Sequence, residues 1–502
     1  MAKNPSADIA FEEKIWKSAC ILRGNMDASE YKQIVLGLIF LKYISDKFEH
    51  KYAELLAEGE GFEEDRDEYT AEGIFYVPSE SRWAQIARYA HDPTIGQVID
   101  TAMRSLERDN KRLKDILPKN FGRPELDKRR LGEVVDLFTN QSMLDHGTER
   151  DILGRTYEYC LSQFAAQEGK LAGEFYTPGC VVRTIVEILK PFQGRVYDPC
   201  CGSGGMFVQS ARFIEAHQGN INNVSLYGQD SNPTTWKMAV MNLAIRGLEA
   251  NLGSYNADTF YNDCHPGLKA DFIMANPPFN LSDWGADKLA GDVRWKYGLP
   301  PSGNANYAWI QHMIHHLAPQ GRMGVVLANG SLSSQSGGEG VIRRKIVEAD
   351  LVEGIVAMPP QLFYTTQIPV CLWIIGRDKK QTGQTLFIDA RDMGAMKTRK
   401  LRELTDADIA RIAGAFDAFE RGELREEAGF SAIASIEQIA AQDFILTPGR
   451  YVGLAEREED GEPFDDKMKR LTGELSELFA QSRALEEEIR KQLASIGYSL
   501  PS

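Results

Sequence analysis

Paired cysteines are the first thing this chain lacks. Cys20, Cys160, Cys180, Cys200, Cys201, Cys264 and Cys371 form no Cys-x-x-Cys unit, and their odd number and wide spacing exclude a disulfide framework. No run approaches the roughly 18 apolar residues of a membrane-spanning helix. Glu12 and Glu13 interrupt the opening segment where a signal peptide needs an apolar core. Reduced thiols and no leader predict a cytoplasmic protein with no membrane partner. Positive charge is also scarce, with 57 Lys and Arg against 72 Asp and Glu and a net charge of -15. That excludes a protein gripping a polyanion with its whole surface, so any nucleic-acid contact is local or shared with a partner. The phosphate-cradling GxxxxGK[ST] loop is missing, which leaves a motor or nuclease role unsupported. His312 and His316 have the spacing of two ligands on one helix face, but Met313 stands where HExxH needs its glutamate. With no third ligand evident nearby, the pair reads as a structural helix face, and no metal is expected. Tandem repeats and long low-complexity segments are absent too.

What is present falls into blocks, and 502 residues is length for two to four domains of roughly 150 residues each. Up to about residue 165 the signals are helical. Asp27 and Glu30 form a capping-box-like start, and Tyr31, Ile34, Val35, Leu38, Ile39 and Leu41 follow at mostly helical spacings. A polar break from Glu58 to Glu68 interrupts this block. Its Arg104 to Arg130 stretch is the densest in basic residues, read as a solvated helical face in preference to a phosphate contact. From about 170, short apolar runs alternate with amphipathic stretches. Strands are expected at 195–197, 225–228, 270–275, 323–328, 351–358, 370–375 and 386–388, with helices at 181–189, 234–246, 307–317 and 340–348. Such alternation predicts an α/β fold with a mainly parallel sheet covered on both faces. Beyond about 395 the chain reads as helical again. Met468, Leu471, Leu475, Leu478, Ser482, Leu485 and Ile489 then recur at spacings of three and four, either a surface helix or a partner-binding coil. The expected domains are a helical domain 1–165, an α/β domain 166–395, a helical linker region 396–455 and a helical tail 456–502.

Two loops carry chemistry, both at the carboxyl ends of expected strands, where open α/β sheets bind ligands. In Asp198-Pro199-Cys200-Cys201-Gly202-Ser203-Gly204-Gly205 the glycines let the backbone turn sharply and bring N–H groups close to a ligand. Phe207 occupies the place of the last glycine of GxGxxG, so a nucleoside cofactor other than a dinucleotide is favoured. Asp230 at the next strand tip can take ribose hydroxyls, and Asp258 beyond it suits an adenine amino group. In Asn276-Pro277-Pro278-Phe279 an amide, two rigid prolines and an aromatic ring suit a flat, amine-bearing ring.

Together these loops resemble the S-adenosylmethionine-dependent DNA adenine-N6 methyltransferases. Gly173-Glu174-Phe175-Tyr176-Thr177-Pro178 upstream of the glycine loop is similar to the extra cofactor motif of the γ-type order. Gly37-Leu38-Ile39-Phe40-Leu41-Lys42-Tyr43-Ile44, the helical first block and the tail resemble the modification subunit of type I restriction-modification systems. The resemblance implies a Rossmann-like domain transferring methyl groups to N6 of an adenine flipped out of duplex DNA. It implies a cofactor set of Glu174, Phe175, Tyr176, Thr177, Pro178, Asp198, Pro199, Gly202, Ser203, Gly204, Gly205, Asp230 and Asp258, with Asn276, Pro277, Pro278 and Phe279 at the chemistry. Asp230 departs from the glutamate of many relatives and is one methylene shorter. Implied partners are duplex DNA, a specificity subunit flanked by two modification subunits, and a restriction motor subunit. Two alternatives remain on the residues alone: a same-fold enzyme acting on a protein glutamine or an RNA base, and a non-catalytic assembly subunit.

Overall fold

The structure, a computed structural model, describes residues 15–17, 20, 22, 28–140, 151–168, 176–363, 368–399, 401–454 and 464–495. These belong to two compact units, Met1–Gly453 and Leu454–Ser502. Glu174 and Phe175, the helix start at Asp27 and the acidic stretch 456–460 lie outside the described residues.

The first unit begins with α1 (Ala28–Glu58), α2 (Ile95–Asp109), α3 (Lys128–Thr139) and α4 (Asp151–Glu168). The periodic residues Tyr31, Ile34, Val35, Leu38, Ile39 and Leu41 are all buried, so α1 runs through the middle of the helical block. Glycine permits the closest approach: a Cβ on Gly132 of α3 would stand 1.8 Å from the Ala90 carbonyl oxygen. This block shares its apolar core with Met238, Met241 and Ile245 of the α/β part. The Tyr43 hydroxyl donates to the Ile245 carbonyl at 2.7 Å, and Gln33 Nε2 donates to Thr234 Oγ1 at 2.9 Å. Within the basic stretch, Arg108, Arg112, Lys119, Arg123, Arg129 and Arg130 each pair with a carboxylate, and Lys128 donates to backbone carbonyls.

Next come α5 (Gly179–Leu189), β1 (Gly194–Asp198), α6 (Gly205–Ala216), β2 (Val224–Gly228), α7 (Pro233–Ile245), β3 (Ala250–Asn251) and β4 (Ala270–Ala275). After them run α8 (Asn306–His316), β5 (Leu317–Ala328), α9 (Glu339–Glu348), β6 (Val352–Ala357), β7 (Val370–Gly376) and β8 (Gln384–Asp389). A small hairpin, β9 (Ala395–Met396) and β10 (Arg402–Glu403), then precedes α10 (Asp406–Glu420) and β11 (Ser431–Ser435). The main sheet has nine strands in the order β11-β8-β6-β7-β5-β4-β1-β2-β3. Pairs β1·β2, β1·β4, β2·β3, β4·β5 and β6·β8 are parallel, whereas β7 runs against both neighbours and β11 against β8.

Successive residues on each strand point to opposite faces. Val196, Met274, Val326 and Leu372 pack with α5, α6 and α10; Tyr197, Ile273, Val325 and Trp373 pack with α8 and α9. Both faces are therefore covered, and the near-continuous apolar runs seen in the sequence follow.

All seven expected strands lie in this sheet. The stretch 396–455, read as helical, also contributes the hairpin and the edge strand β11. In Ser431-Ala-Ile-Ala-Ser435 a single large apolar residue gives almost no alternation, and the strand is held by its backbone pairing to β8. The two-residue β3 is too short to show a pattern at all.

The second unit contains α11 (Phe464–Ser495). Its Met468, Leu471, Leu475, Leu478, Leu485 and Ile489 are all exposed. Among the described residues no helix is long and apolar enough to cross a membrane.

Candidate functional site

Strand β1 ends in Asp198, and the chain turns at once through the glycine loop into α6. Gly202 and Gly204 have φ of 55° and 81°, a left-handed backbone that favours glycine. Neighbouring segments hold the turn. Cys201 N donates to the Gln229 carbonyl at 3.0 Å, Thr259 Oγ1 to the Pro199 carbonyl at 2.5 Å, and Asn242 Nδ2 to the Ser203 carbonyl at 2.6 Å. Asp230 takes part: Oδ2 accepts from Gly202 N at 3.1 Å and Oδ1 from Asn232 N at 2.9 Å. Its carboxylate thus shapes the loop itself, a role its place at a strand tip did not announce.

Asp198 is 2% exposed. Burial pushes its carboxyl from the ordinary 3.8 up to about 7; the Cys200 N–H at 3.0 Å pulls it down, and the Asp230 charge pushes it further up. Burial also holds the Cys200 and Cys201 thiols well above their ordinary range.

Asn276 follows β4 directly. Its Nδ2 donates to Thr177 Oγ1 at 3.0 Å, which joins the second chemical loop to the Tyr176-Thr177-Pro178 segment. Its Oδ1 is buried and has no hydrogen-bond partner among the described residues. Pro277 is buried, and Phe279 is half-buried with its ring edge-on to Phe363, centroids 5.7 Å apart.

A cavity of about 240 Å³ lies between these loops. From the expected set it is lined by Tyr176, Thr177, Pro178, Asp198, Gly202, Ser203, Gly205 and Asn276. Pro199, Gly204, Asp230, Asp258, Pro277, Pro278 and Phe279 do not line it. The exposed Asp258 accepts instead from Phe260 N at 2.8 Å and Tyr261 N at 3.2 Å, closing its own turn.

Other lining residues come from elements without any motif. Glu158 on α4 takes Arg212 at 3.0 Å and Arg246 at 3.7 Å, and Gln209 and Arg212 project from α6. Lys397, Leu401, Arg402 and Glu403 of the hairpin form another wall. Arg402 Nη1 donates to the Met393 and Gly394 carbonyls, at 2.9 and 3.2 Å. Only their arrangement in space marks these residues, so sequence patterning carried no signal for them.

Behind β1, the third ligand not found in the sequence is Asp263, which stands with His312 and His316. These groups are already hydrogen-bonded. His316 bonds Asp263 Oδ2 at 2.9 Å through Nε2 and the Leu268 carbonyl at 3.0 Å through Nδ1. His312 Nδ1 accepts from Arg294 at 3.1 Å, and its Nε2 faces the Tyr197 hydroxyl at 3.1 Å. Burial holds His312 well below its ordinary value, and a guanidinium against its ring opposes a second cation.

The chain matches the model of the N-6 DNA Methylase family over residues 148–460 and that of the HsdM N-terminal domain over residues 11–138. It is 51% identical over 413 residues to the type I restriction enzyme HindI methylase subunit of Haemophilus influenzae, covering 80% of this chain and 93% of that one. The MjaIX methylase subunit of Methanocaldococcus jannaschii is 40% identical over 97% of this chain and 92% of its own length. Among solved structures, the methyltransferase subunit of a type I restriction-modification system from Streptococcus thermophilus superposes with a TM-score of 0.74 at 25% identity, covering 89% of this chain and 99% of that one. The chain belongs to the N-6 DNA methylase family, as a methylase subunit of the type I restriction enzymes.

Proposed function

We infer that this chain transfers a methyl group from S-adenosylmethionine to N6 of an adenine swung out of duplex DNA, through Asn276 and the loop that follows it. The observation that carries this reading is the buried Oδ1 of Asn276 at the cavity wall, which has no partner among the described residues. Burying an acceptor without a donor costs about 1–3 kcal/mol, which a substrate N–H would recover.

The residues present fit the cofactor. Asp198 is a buried carboxyl with no cation among the causes of its shift from the described residues, and a positively charged ligand would restore its ionised form. Tyr176, Thr177 and Pro178 would border the methionine end, and the glycine loop would form its floor, with Asp230 fixing that loop. Glu174, Phe175 and Asp258 stay in the proposed set on the family resemblance. When bound, S-adenosylmethionine supplies an electrophilic methyl group.

Exocyclic N6 is a weak nucleophile because its lone pair is delocalised into the purine ring. Asn276 Oδ1 and the Pro277 carbonyl would accept its two hydrogens and favour a pyramidal nitrogen with a localised pair. Pro277 and Pro278 fix φ and keep these acceptors in place. No strong base is needed, since the proton becomes acidic only as the new bond forms. Phe279, braced by Phe363, would stack on the extruded base.

In this reading residues 1–165 and 166–395 are the helical and catalytic domains, 396–455 supplies part of the cavity wall, and 456–502 binds a partner. The exposed apolar stripe of α11 supports the last assignment. A specificity subunit flanked by two copies of this chain would read the DNA sequence, with a motor subunit joining for restriction in the cytoplasm. The net charge of -15 supports a shared grip on DNA. The test is transfer of labelled methyl from S-adenosylmethionine to duplex DNA by the chain alone and with its specificity subunit. Transfer to adenine that depends on the specificity subunit is expected; none by the complex would defeat the reading.

A further inference from the structure

Immediately after Phe279 the backbone does something costly. Asn280 has φ of 53°, the left-handed conformation that non-glycine residues rarely adopt. It is held there by two other asparagines from the start of α8. Asn280 N donates to Asn306 Oδ1 at 3.2 Å, and Asn306 Nδ2 returns a bond to Asn280 Oδ1 at 3.0 Å. Asn304 Nδ2 donates to the same Asn280 Oδ1 at 3.2 Å, while Asn304 Oδ1 accepts from Asn306 N at 2.9 Å. Backbone N–H groups meet Asn306 Oδ1 and Asn304 Oδ1, so both amide orientations are dictated and each Nδ2 is turned to Asn280. Next to this tie, Ala305 N donates to the Leu281 carbonyl at 2.9 Å. Asn306 is 1% exposed whereas Asn280 is exposed, so the reciprocal pair is shielded from water on the Asn306 side.

The consequence is geometric. Asn276 is anchored on one side by β4 and Thr177, and the prolines fix only their own φ. The exit of the loop is set by Asn280; the Leu281–Ala305 bond closes the 281–305 excursion on itself, and the asparagine tie fixes how that excursion leaves Phe279. We propose that Asn280, Asn304 and Asn306 are positioning residues for the methyl transfer: they lock the exit of the Asn276–Phe279 loop so that the Asn276 and Pro277 oxygens meet the target amine in register.

The inference rests on the adenine-binding role proposed for Asn276, and the experiment separates the two. In the full complex with the specificity subunit, kcat, cofactor Kd and thermal melting are measured for Asn276→Ala, Asn280→Ala, Asn280→Gly, Asn280→Asp, Asn304→Ala and Asn306→Ala. Misplacement near 1 Å costs up to about 100-fold in rate. Asn280→Ala and Asn306→Ala are therefore expected to lower kcat roughly 10- to 100-fold, with cofactor Kd within about twofold of wild type. Asn280→Asp keeps the acceptor and recovers most of the kcat lost by Asn280→Ala; Asn280→Gly, which only relieves the backbone, recovers less. If the buried Asn306→Ala does not fold, the less buried Asn280 and Asn304 variants carry the test. Wild-type kcat in Asn280→Ala and Asn304→Ala overturns the proposal, as does a loss of kcat matched by equal loss of cofactor binding or no rescue by aspartate. Full activity of Asn276→Ala would instead defeat the adenine reading beneath it.

Discussion

Replacing Asp198 by asparagine is expected to make the ligand-free protein more stable at pH 8 and its hold on the cofactor weaker. Burial raises the carboxyl from 3.8 to about 7, and each pKa unit is about 1.4 kcal/mol, so carrying this charge costs the folded protein on the order of 4 kcal/mol well above pH 7. The sign follows from the raised value. The favourable contribution of the neutral acid is complete below the ordinary carboxylate range and is lost as pH rises through about 7. Asparagine has no charge to desolvate and keeps an oxygen for the Cys200 N–H. Relaxation around the site reduces the figure, and a gain of at least about 1 kcal/mol at pH 8 over wild type is expected, vanishing near pH 4. Cofactor binding runs the other way. A cationic ligand selects the ionised carboxylate, so wild-type affinity should fall about tenfold for each pH unit below 7, whereas the variant binds about tenfold or more weakly at pH 8 and lacks that slope. Calorimetric unfolding between pH 4 and 8, with titration of S-adenosylmethionine between pH 5.5 and 8.5, reads both quantities. Parallel pH profiles for the two proteins, or a variant less stable at pH 8, would refute the reasoning.

Gly132→Ala puts a Cβ 1.8 Å from the Ala90 carbonyl oxygen, and the forced shift of α3 should cost about 1–3 kcal/mol in chemical denaturation. Burial raises Asp263, but the His316 hydrogen bond and charge outweigh it and bring the carboxyl down to about 2. Its contribution is therefore present above the ordinary carboxylate range and lost as pH falls through about 2. Asp263→Asn removes the ionised acceptor that buried His316 bonds and should cost about 1–3 kcal/mol at neutral pH, measured by urea unfolding. Deleting residues 465–502 removes the exposed stripe of α11 and should weaken assembly with the specificity subunit in sedimentation, while cofactor affinity stays within about threefold of wild type.

The two candidate loops were legible in the sequence because each puts rare residue types side by side: glycines at positive φ after β1, and an amide before two prolines after β4. Seven of the nine strands were legible because strands covered on both faces are largely apolar; β3 is too short, and β11 too poor in large apolar residues, to show it. Asp258 shows the limit of that reasoning. A strand-tip acid can face a ligand or close its own turn, and only coordinates show its carboxylate accepting from Phe260 N and Tyr261 N. Glu158, Arg212 and the Lys397–Glu403 wall reach the cavity from elements distant in sequence, with no local pattern to mark them. Asp263 escaped for the same reason, lying 53 residues from His316. Whether the acceptor was adenine, a glutamine or an RNA base was open on the residues alone, and membership of the type I methylase subunits decides for adenine in DNA.

The most direct test of the account is the turnover of Asn276→Ala in the complex with its specificity subunit, using labelled S-adenosylmethionine and duplex DNA whose products are digested and separated. The account predicts N6-methyladenine from the wild type and a kcat lowered roughly 100- to 1,000-fold in the variant, as for loss of one preorganised electrostatic contact, with cofactor Kd nearly unchanged. A variant that methylates adenine within tenfold of the wild-type rate would contradict it.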